Sequence, residues 1–278
     1  LDLYTANGNA NFSLPSKDYH VVPPNVSRLM KDRSAFRYFI APGTANQTIL
    51  DENSEFYDYR RALSLKRDRL VYDQNMLFGL AAIDGYESIK GADQERLIKK
   101  IVSLDSLNGV RILDLVNVKY LVSAWPFQQR GYKLLALNRG PAKQTTFLYE
   151  NTNVLPRAFF VPKSAFMPDR NEILDRISQP GFQPRSAVIL EEPVDSPGGF
   201  WFTSEWFYPG WRAYVDGREA KIYRANFMFR AVPVPKGFRE VKFVYEPLSF
   251  KLGAVISLVT LFGLIMAFSI IFAYNKYK

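Results

Sequence analysis

The sequence contains no cysteine and a single histidine, and these two shortages exclude several kinds of active site. Without cysteine the chain has no disulfide bond, no thiolate metal site and no cysteine nucleophile. His20 alone cannot build a multi-histidine zinc site. A Ser-His-Asp triad would have to use His20, and no serine lies in the glycine pattern of a nucleophile elbow. The sequence therefore predicts neither a metal site nor a catalytic residue within this chain.

The sequence also lacks a convincing pair of carboxylates for hydrolysis. The acids Glu191 and Glu192 are adjacent, as are Asp51 and Glu52. In an extended chain adjacent side chains point to opposite faces, so neither pair is placed to act as an acid/base couple. A hydrolase is therefore disfavoured.

Charge is not concentrated in any one segment. The chain has 36 lysines and arginines against 27 acids, a net charge of +9, and the basic residues are spread along its length. No recognition helix or nucleic-acid motif accompanies them, so DNA and RNA are not predicted partners. A solvated basic surface is the favoured interpretation. Attraction to anionic lipid head groups or phosphorylated substrates stays open.

An uncharged apolar run extends from Leu252 to Tyr274. As a helix it would be roughly 34 Å long, enough to cross a hydrocarbon core of about 30 Å. Lys276 and Lys278 follow without an acid, so the positive-inside tendency predicts a cytoplasmic tail and an extracytoplasmic location for residues 1–250. The chain begins at Leu1 with no signal peptide, and we expect it to be a piece of a longer membrane protein.

The rest of the sequence predicts an α+β fold in which the pattern of secondary structure changes near residue 155. With 47% hydrophobic residues, the 278-residue chain is long enough to form two domains, each with its own hydrophobic core. Residues 1–30 are predicted to be an extended lead-in, and 31–154 a mixed α/β unit. Residues 155–250 contain short strands between Pro, Gly and Asp turns, which predicts an antiparallel β-sandwich. Residues 251–278 form the membrane helix and tail.

The stretch "WFYPGWRAYVDG" gathers large aromatic side chains beside two turns. Alternation places Trp211, Ala213 and Val215 on one face, which we predict to be buried, and Asp-Gly predicts a hairpin to "AKIY". Core packing is the favoured role of these rings. A carbohydrate-stacking surface using Trp206 or Tyr208 stays open.

Several stretches together resemble one family. They are "NMLFGLAAIDGYESI", "ILDLVNVKYLVS", "LPRAFFV" and "FYPGWRAYVDGREAKIYRANFMFRAVPVPKGFREVKFVYEPLSFKLG", in this order. They resemble the C-terminal region of bacterial YfhO-type membrane proteins, which are similar to polytopic GT-C glycosyltransferases. The resemblance covers most of the chain.

The resemblance implies the extracytoplasmic C-terminal domain and last helix of a membrane glycosyltransferase. Such an enzyme moves a sugar from a polyprenyl-phosphate donor to an envelope polymer, glycolipid or protein. The family's catalytic acids lie upstream, so none is carried over to this chain, which needs no cofactor of its own. The implied partners are membrane lipid, the upstream transmembrane helices of the parent chain, and a glycan or lipid-linked substrate.

Three polar residues are candidates to face the substrate cleft of such a domain, namely Asn75, Asp84 and Tyr86. For Asn75 and Asp84 the favoured alternative is that they satisfy local turn hydrogen bonds. A different class of function also stays open for the whole chain. It is a membrane-anchored carbohydrate-binding or interaction module without catalysis, which would use Trp206 and Tyr208.

Overall fold

The computed structural model describes residues 20–53, 59–85, 90–103, 111–140, 144–196 and 198–276. In these ranges the chain is α+β, as predicted, with helices, three sheets and an apolar helix near the C-terminus. Contacts within the chain define two compact units. The first runs to Arg157 and includes Leu174–Phe182, and the second comprises Ala158–Ile173 and the chain from Gln183 onward.

The first unit combines helices with a four-stranded mixed sheet. Its helices are α1 (Pro24–Lys31), α2 (Thr44–Asn53), α3 (Tyr59–Asp68), α4 (Ala92–Ser103) and α5 (Arg111–Leu115), with a 3₁₀ helix at Gln74–Phe78. Its strands are β1 (Arg37–Ile40), β2 (Val118–Ser123), β3 (Tyr132–Arg139) and β4 (Thr145–Asn151). The sheet order is β1-β2-β4-β3, with β1 and β2 parallel and the other pairs antiparallel.

Apolar stretches of the sequence contain the four strands, namely "FRYFIA", "VKYLVSAW", "YKLLALN" and "TTFLYEN" in order along the chain. The stretch "ADQERLIKKIVSL", whose apolar residues recur at helical spacing, forms α4. The central strand β2 is buried along almost its whole length, which explains its continuous apolar run. Val26, Tyr38, Leu70, Val122 and Leu148 belong to one core cluster, which joins α1, the sheet and the segment after α3.

Part of the predicted extended lead-in is helical. Residues Pro24–Lys31 form α1, and residues 1–19 lie outside the described ranges. Pro23 precedes the helix with extended backbone and Pro24 occupies its first turn, where a missing N–H costs nothing. Val26 and Leu29 are three residues apart on one face and are buried. The prolines thus mark the start of a helix rather than an extended segment.

The second unit is built from two sheets. Its strands are β5 (Ala158–Val161), β6 (Ser164–Phe166), β7 (Val188–Leu190), β8 (Phe200–Trp206), β9 (Trp211–Val215), β10 (Arg218–Ala220), β11 (Tyr223–Ala225), β12 (Phe229–Pro233) and β13 (Val241–Tyr245). A six-stranded sheet has the order β5-β8-β12-β11-β7-β6, antiparallel except for the parallel pair β6–β7. A three-stranded antiparallel sheet has the order β10-β9-β13.

The two sheets share a hydrophobic core, as in a β-sandwich. Ala213 and Val215 of β9 pack in one buried cluster with Val232 of β12 and with Val234. The predicted alternation is therefore correct at Ala213 and Val215, which are buried, and at Arg212, which is exposed, whereas Trp211, also predicted to be buried, is half-buried. The predicted hairpin is also present, because Asp216 and Gly217 both have positive φ, 49° and 81°, as the tight turn between β9 and β10 requires.

Two further helices complete the fold. Helix α6 (Arg170–Ser178) begins after Asp169, whose carboxylate accepts hydrogen bonds from the backbone N–H groups of Asn171 and Glu172. Asp169 is therefore the N-cap of α6. Helix α7 (Leu248–Lys276) contains the predicted apolar run. Its segment Leu248–Ala273 is long and apolar enough to span a membrane, and it is 0% buried against the rest of the chain.

Candidate functional site

The first unit contains a cleft of about 420 Å³ at the carboxyl end of β1. Tyr38 of β1 pairs with Ala82 in a parallel bridge, so the chain at residues 82–85 leaves the sheet at the same edge as β1. Ligands of sheets with parallel strands bind preferentially outside the carboxyl ends of those strands. The cleft therefore lies where the topology favours a binding site.

A tight turn between β1 and α2 forms one wall of the cleft. Gly43 has a φ of 81°, and a Cβ atom placed on it would lie 2.9 Å from the ring of Trp125. Glycine is therefore required by both the backbone conformation and the close packing. The hydroxyl of Thr44 accepts a hydrogen bond from the backbone N–H of Ala124, which ties the first turn of α2 to the end of β2.

The opposite wall is a strained segment of backbone. Leu70, Tyr72 and Asp73 all have left-handed φ angles, between 54° and 59°. For non-glycine residues such conformations cost on the order of 1–3 kcal/mol each and cluster at binding and active sites. Tyr38 holds the segment by donating its hydroxyl to the carbonyl of Leu70 at 3.2 Å, and Tyr72 donates to the carbonyl of Ala45 at 3.1 Å.

Polar side chains line the cleft beside apolar ones. They are Asn46, Asp73, Asn75 and Asp84, and the apolar lining includes Ile40, Ile49, Ile98 and Val102. Burial raises the pKa of the Tyr38 phenol, and the negative charge of Asp73 raises that pKa further. Tyr38 therefore stays protonated as a hydrogen-bond donor at neutral pH.

Two of the sequence-predicted site residues lie in this cleft and also make local bonds. Asn75 donates its amide N–H to the carbonyl of Leu80 at 2.8 Å. Asp84 accepts from the backbone N–H of Gly85 at 3.0 Å and from the Lys90 ammonium at 2.6 Å. These are the hydrogen bonds expected of turn residues. A ligand-binding role for Asn75 and Asp84 stays a prediction, and Tyr86 lies outside the described residues.

Sequence reasoning missed Asp73 and Tyr72 as cleft residues. Neither belongs to a motif, and their left-handed backbone has no sequence signature of the kind that glycine provides. The nearest sequence signal for these two residues is Asn75, which follows them closely and begins the stretch "NMLFGLAAIDGYESI".

The aromatic side chains of the second unit divide into buried and exposed groups. Phe202 is fully buried, and Trp211 is half-buried. Trp206 is 42% exposed and Tyr208 is 62% exposed. A smaller cleft of about 250 Å³ separates Tyr208 and Trp211 from Lys221 and Ile222, and Trp206 does not line it. A carbohydrate-binding role for Trp206 and Tyr208 stays a prediction.

Within the described ranges, no group of three or more histidine, aspartate or glutamate side chains could hold a metal ion. The first cleft presents carboxylate and amide oxygens beside tyrosine rings.

The α+β units and the exposed apolar helix define the class of a membrane-anchored protein. Comparison with protein families then identifies the type: the model of the family described as "Bacterial membrane protein YfhO" matches residues 207–257. The match runs from the loop after β8 into the first turns of α7, and it confirms the resemblance to this family for these residues. The helix and the family match together support localisation in the membrane. Comparisons with curated proteins and with solved structures give no match.

Proposed function

We propose that the chain is the extracytoplasmic C-terminal region and last membrane helix of a YfhO-type glycosyltransferase, and that its first unit receives a sugar. The observation that carries the proposal is the cleft between the β1–α2 turn and the strained segment at Leu70–Asp73. Its volume of about 420 Å³ lies within the range of small-ligand sites, which is roughly 300–1,000 Å³.

The composition of the cleft suits a saccharide. Sugar hydroxyls donate hydrogen bonds to carboxylates, and Asp73 and Asp84 supply these, while Asn75 adds an amide. Hydrogen bonds to ionised groups are roughly twice as strong as neutral ones. A sugar also has apolar ring faces, for which the aliphatic side chains and Tyr72 provide contacts.

The proposed donor is a polyprenyl-phosphate-linked sugar, because no nucleotide sugar is at hand outside the cytoplasm and the lipid holds the donor at the membrane. The acceptor is an envelope polymer, a glycolipid or a protein. The catalytic groups belong to upstream membrane helices and loops of the parent chain, and the unit with the cleft encloses the sugar and excludes water.

Asp73→Asn is expected to weaken saccharide binding roughly tenfold, since a hydrogen bond to a charged group is worth about 1.5–3 kcal/mol. Asparagine tolerates the left-handed backbone at this position, so the fold should be retained. The 278-residue chain in detergent would be titrated with methyl glycosides of glucose, galactose and N-acetylglucosamine, and binding followed by hydrogen exchange of residues 70–85.

Tyr208→Ala is the matched control, because Tyr208 belongs to the alternative carbohydrate-binding surface and lies in the second unit. We expect it to leave saccharide binding unchanged. Binding that survives Asp73→Asn but is lost in Tyr208→Ala would contradict the cleft and support a membrane-anchored carbohydrate-binding module instead.

The proposed orientation places the C-terminal tail in the cytoplasm, because Lys276 and Lys278 follow the apolar helix without an acid. Lys278→Cys would be the only cysteine in the chain. We expect it to resist an impermeant thiol reagent in intact cells and to react after the membrane is opened. Reaction in intact cells would contradict the orientation.

A further inference from the structure

We infer that residues 206–211, here called the aromatic loop, insert their exposed rings into the head-group layer of the membrane. They comprise the connection between β8 and β9 together with the strand residues on either side of it, Trp206 and Trp211. The inference concerns the second unit and is independent of the sugar cleft.

The aromatic loop is tied directly to the start of the membrane helix. The ladder between β9 and β13 ends with the pair Trp211 and Tyr245. One step further, the backbone N–H of Glu246 donates to the carbonyl of Gly210 at 2.7 Å. A Cβ on Gly210, whose φ is 96°, would lie 2.9 Å from the backbone of Pro247, so the two segments are in close contact. Leu248 then begins α7.

Helix length fixes the depth of this junction. The apolar span Leu248–Ala273 has 26 residues, which corresponds to about 39 Å at 1.5 Å per residue. A bilayer has a hydrocarbon core of about 30 Å and a total thickness of about 40–45 Å with its head groups. The ends of the span therefore reach the head-group layer, and Pro247 with Gly210 lies at that level.

The rings of the aromatic loop match this environment. Trp206 and Tyr208 are exposed, while Phe207 between them is half-buried and lies under the guanidinium of Arg224 at 4.9 Å. Tyr245, at the end of the neighbouring strand, is 47% exposed. Tryptophan and tyrosine are enriched at membrane interfaces because their rings are apolar and their N–H or O–H groups reach water.

The surrounding charges are balanced, which favours insertion by rings over attraction by charge. Arg212 pairs with Glu219 through two bonds of 2.6 and 2.8 Å, and Lys251 pairs with Glu246 at 3.0 Å. The hydrogen bond from Lys251 and its positive charge hold the pKa of Glu246 below its usual range, so this acid stays ionised. These ion pairs, and that of Lys221 with Glu192 beside the smaller cleft of the second unit, carry no net charge, and a bilayer of phosphatidylcholine alone should therefore suffice.

A nitroxide label at Tyr208→Cys tests the inference, because the native chain has no cysteine. The full chain would be reconstituted in phosphatidylcholine vesicles, and the label's collision rates with oxygen and with a water-soluble nickel chelate measured. We expect a several-fold higher ratio of oxygen to nickel collisions than at Arg218→Cys. Arg218 is an exposed residue at the other end of the same hairpin, where it pairs with Val215, and β9 is about 13 Å long from Trp211 to Val215 at 3.3 Å per residue.

A second measurement does not depend on a label. Trp206→Phe should reduce the quenching of tryptophan fluorescence by lipids brominated near the interface, relative to the unaltered chain. Equal collision ratios at positions 208 and 218, or quenching unchanged in Trp206→Phe, would overturn the inference. The collision rates at position 208 could also match those at position 218 in vesicles and fall when methyl glycosides of glucose, galactose or N-acetylglucosamine are added. That result would overturn the inference in favour of a sugar-stacking surface.

Discussion

Asp51→Asn is expected to destabilise the first unit by roughly 3–5 kcal/mol, the usual cost of removing one partner of a buried ion pair. Asp51 lies 2.7 Å from the Nη2 atom of Arg69, and the side chain of Arg69 is only 1% exposed. The substitution keeps the shape of the side chain and removes its charge. It therefore leaves a guanidinium buried without its counter-ion.

Losing the charge of Asp51 should affect more of the first unit than Asp51 itself, because Arg69 contacts two other elements of that unit. Its guanidinium also donates to the hydroxyl of Thr48 in α2 and to the carbonyl of Thr145 at the start of β4, both at 3.1 Å. These bonds survive the substitution and continue to join α2 to the sheet. We therefore expect a cost toward the lower end of the range.

Hydrogen exchange of the full chain in detergent would measure the effect as lost protection of α2 and β4. Glu95→Gln is the control, since it breaks the exposed Glu95–Lys99 pair on α4, and exposed pairs of this spacing are worth about 0.3–0.5 kcal/mol. The double change Asp51→Asn and Arg69→Met should recover part of the protection, because the guanidinium that loses its carboxylate partner is then removed as well. Equal losses in Asp51→Asn and Glu95→Gln would contradict a buried-pair role.

The features that the sequence could predict are those set by local chemistry. The Asp216-Gly217 turn was predictable because only a few residues accept positive φ, and the alternation in β9 followed from its two faces. The apolar helix was predictable because an uncharged run of that length has few other structures available.

The cleft could not be predicted in the same way. Its residues come from β1, from the segment after α3 and from the chain around Ala82, and a parallel pairing across these distant segments brings them together. Helix α2 was also missed, because "TANQTILDEN" has only a weak apolar stripe and is fixed by contacts such as that of Thr48 with Arg69. Tertiary contacts decide both features.

A buried arginine in the second unit shows a third limit of sequence reasoning. The stretch "FMFRAVPV" contains strand β12, and from the sequence alone an arginine there would be expected to face solvent. Strand β12 instead lies inside the six-stranded sheet with both faces covered, and Arg230 is 3% exposed. Its Nε and Nη1 atoms have no hydrogen-bond partner among the described residues.

The environment of Arg230 is aromatic. Its guanidinium carbon lies 4.0 Å from the ring centroid of Trp211 and 4.8 Å from that of Phe243. Burial lowers the pKa of Arg230 to about 10, and the negative charge of Glu205 works in the opposite direction. The lowered pKa shows that burial disfavours the charged form, and the ring faces offset part of that cost, since desolvated cation–π contacts are worth about 2 kcal/mol.

Trp211→Ala is therefore expected to destabilise the second unit by about 3 kcal/mol, the lower end of the range for tryptophan truncation because the ring is half-buried. The substitution removes the ring from the face of Arg230 and from Tyr245, whose ring centroid lies 5.0 Å away. Unfolding of the full chain in detergent, followed by hydrogen exchange of β9 and β13, would measure the loss. Tyr208→Ala, at a more exposed ring of the same loop, should change stability by no more than about 0.5 kcal/mol.

The same experiment in an Arg230→Met background separates the arginine contact from simple packing. If Trp211 stabilises mainly by covering the cation, its truncation should cost less in that background, by an interaction energy of about 0.5–3 kcal/mol as for other residues in contact. An equal cost in both backgrounds would show that the ring acts by packing alone. Trp211→Ala could instead leave the protection of β9 and β13 unchanged and abolish saccharide binding. That result would contradict both the arginine contact and the packing role, and it would make Trp211 part of a sugar-binding surface.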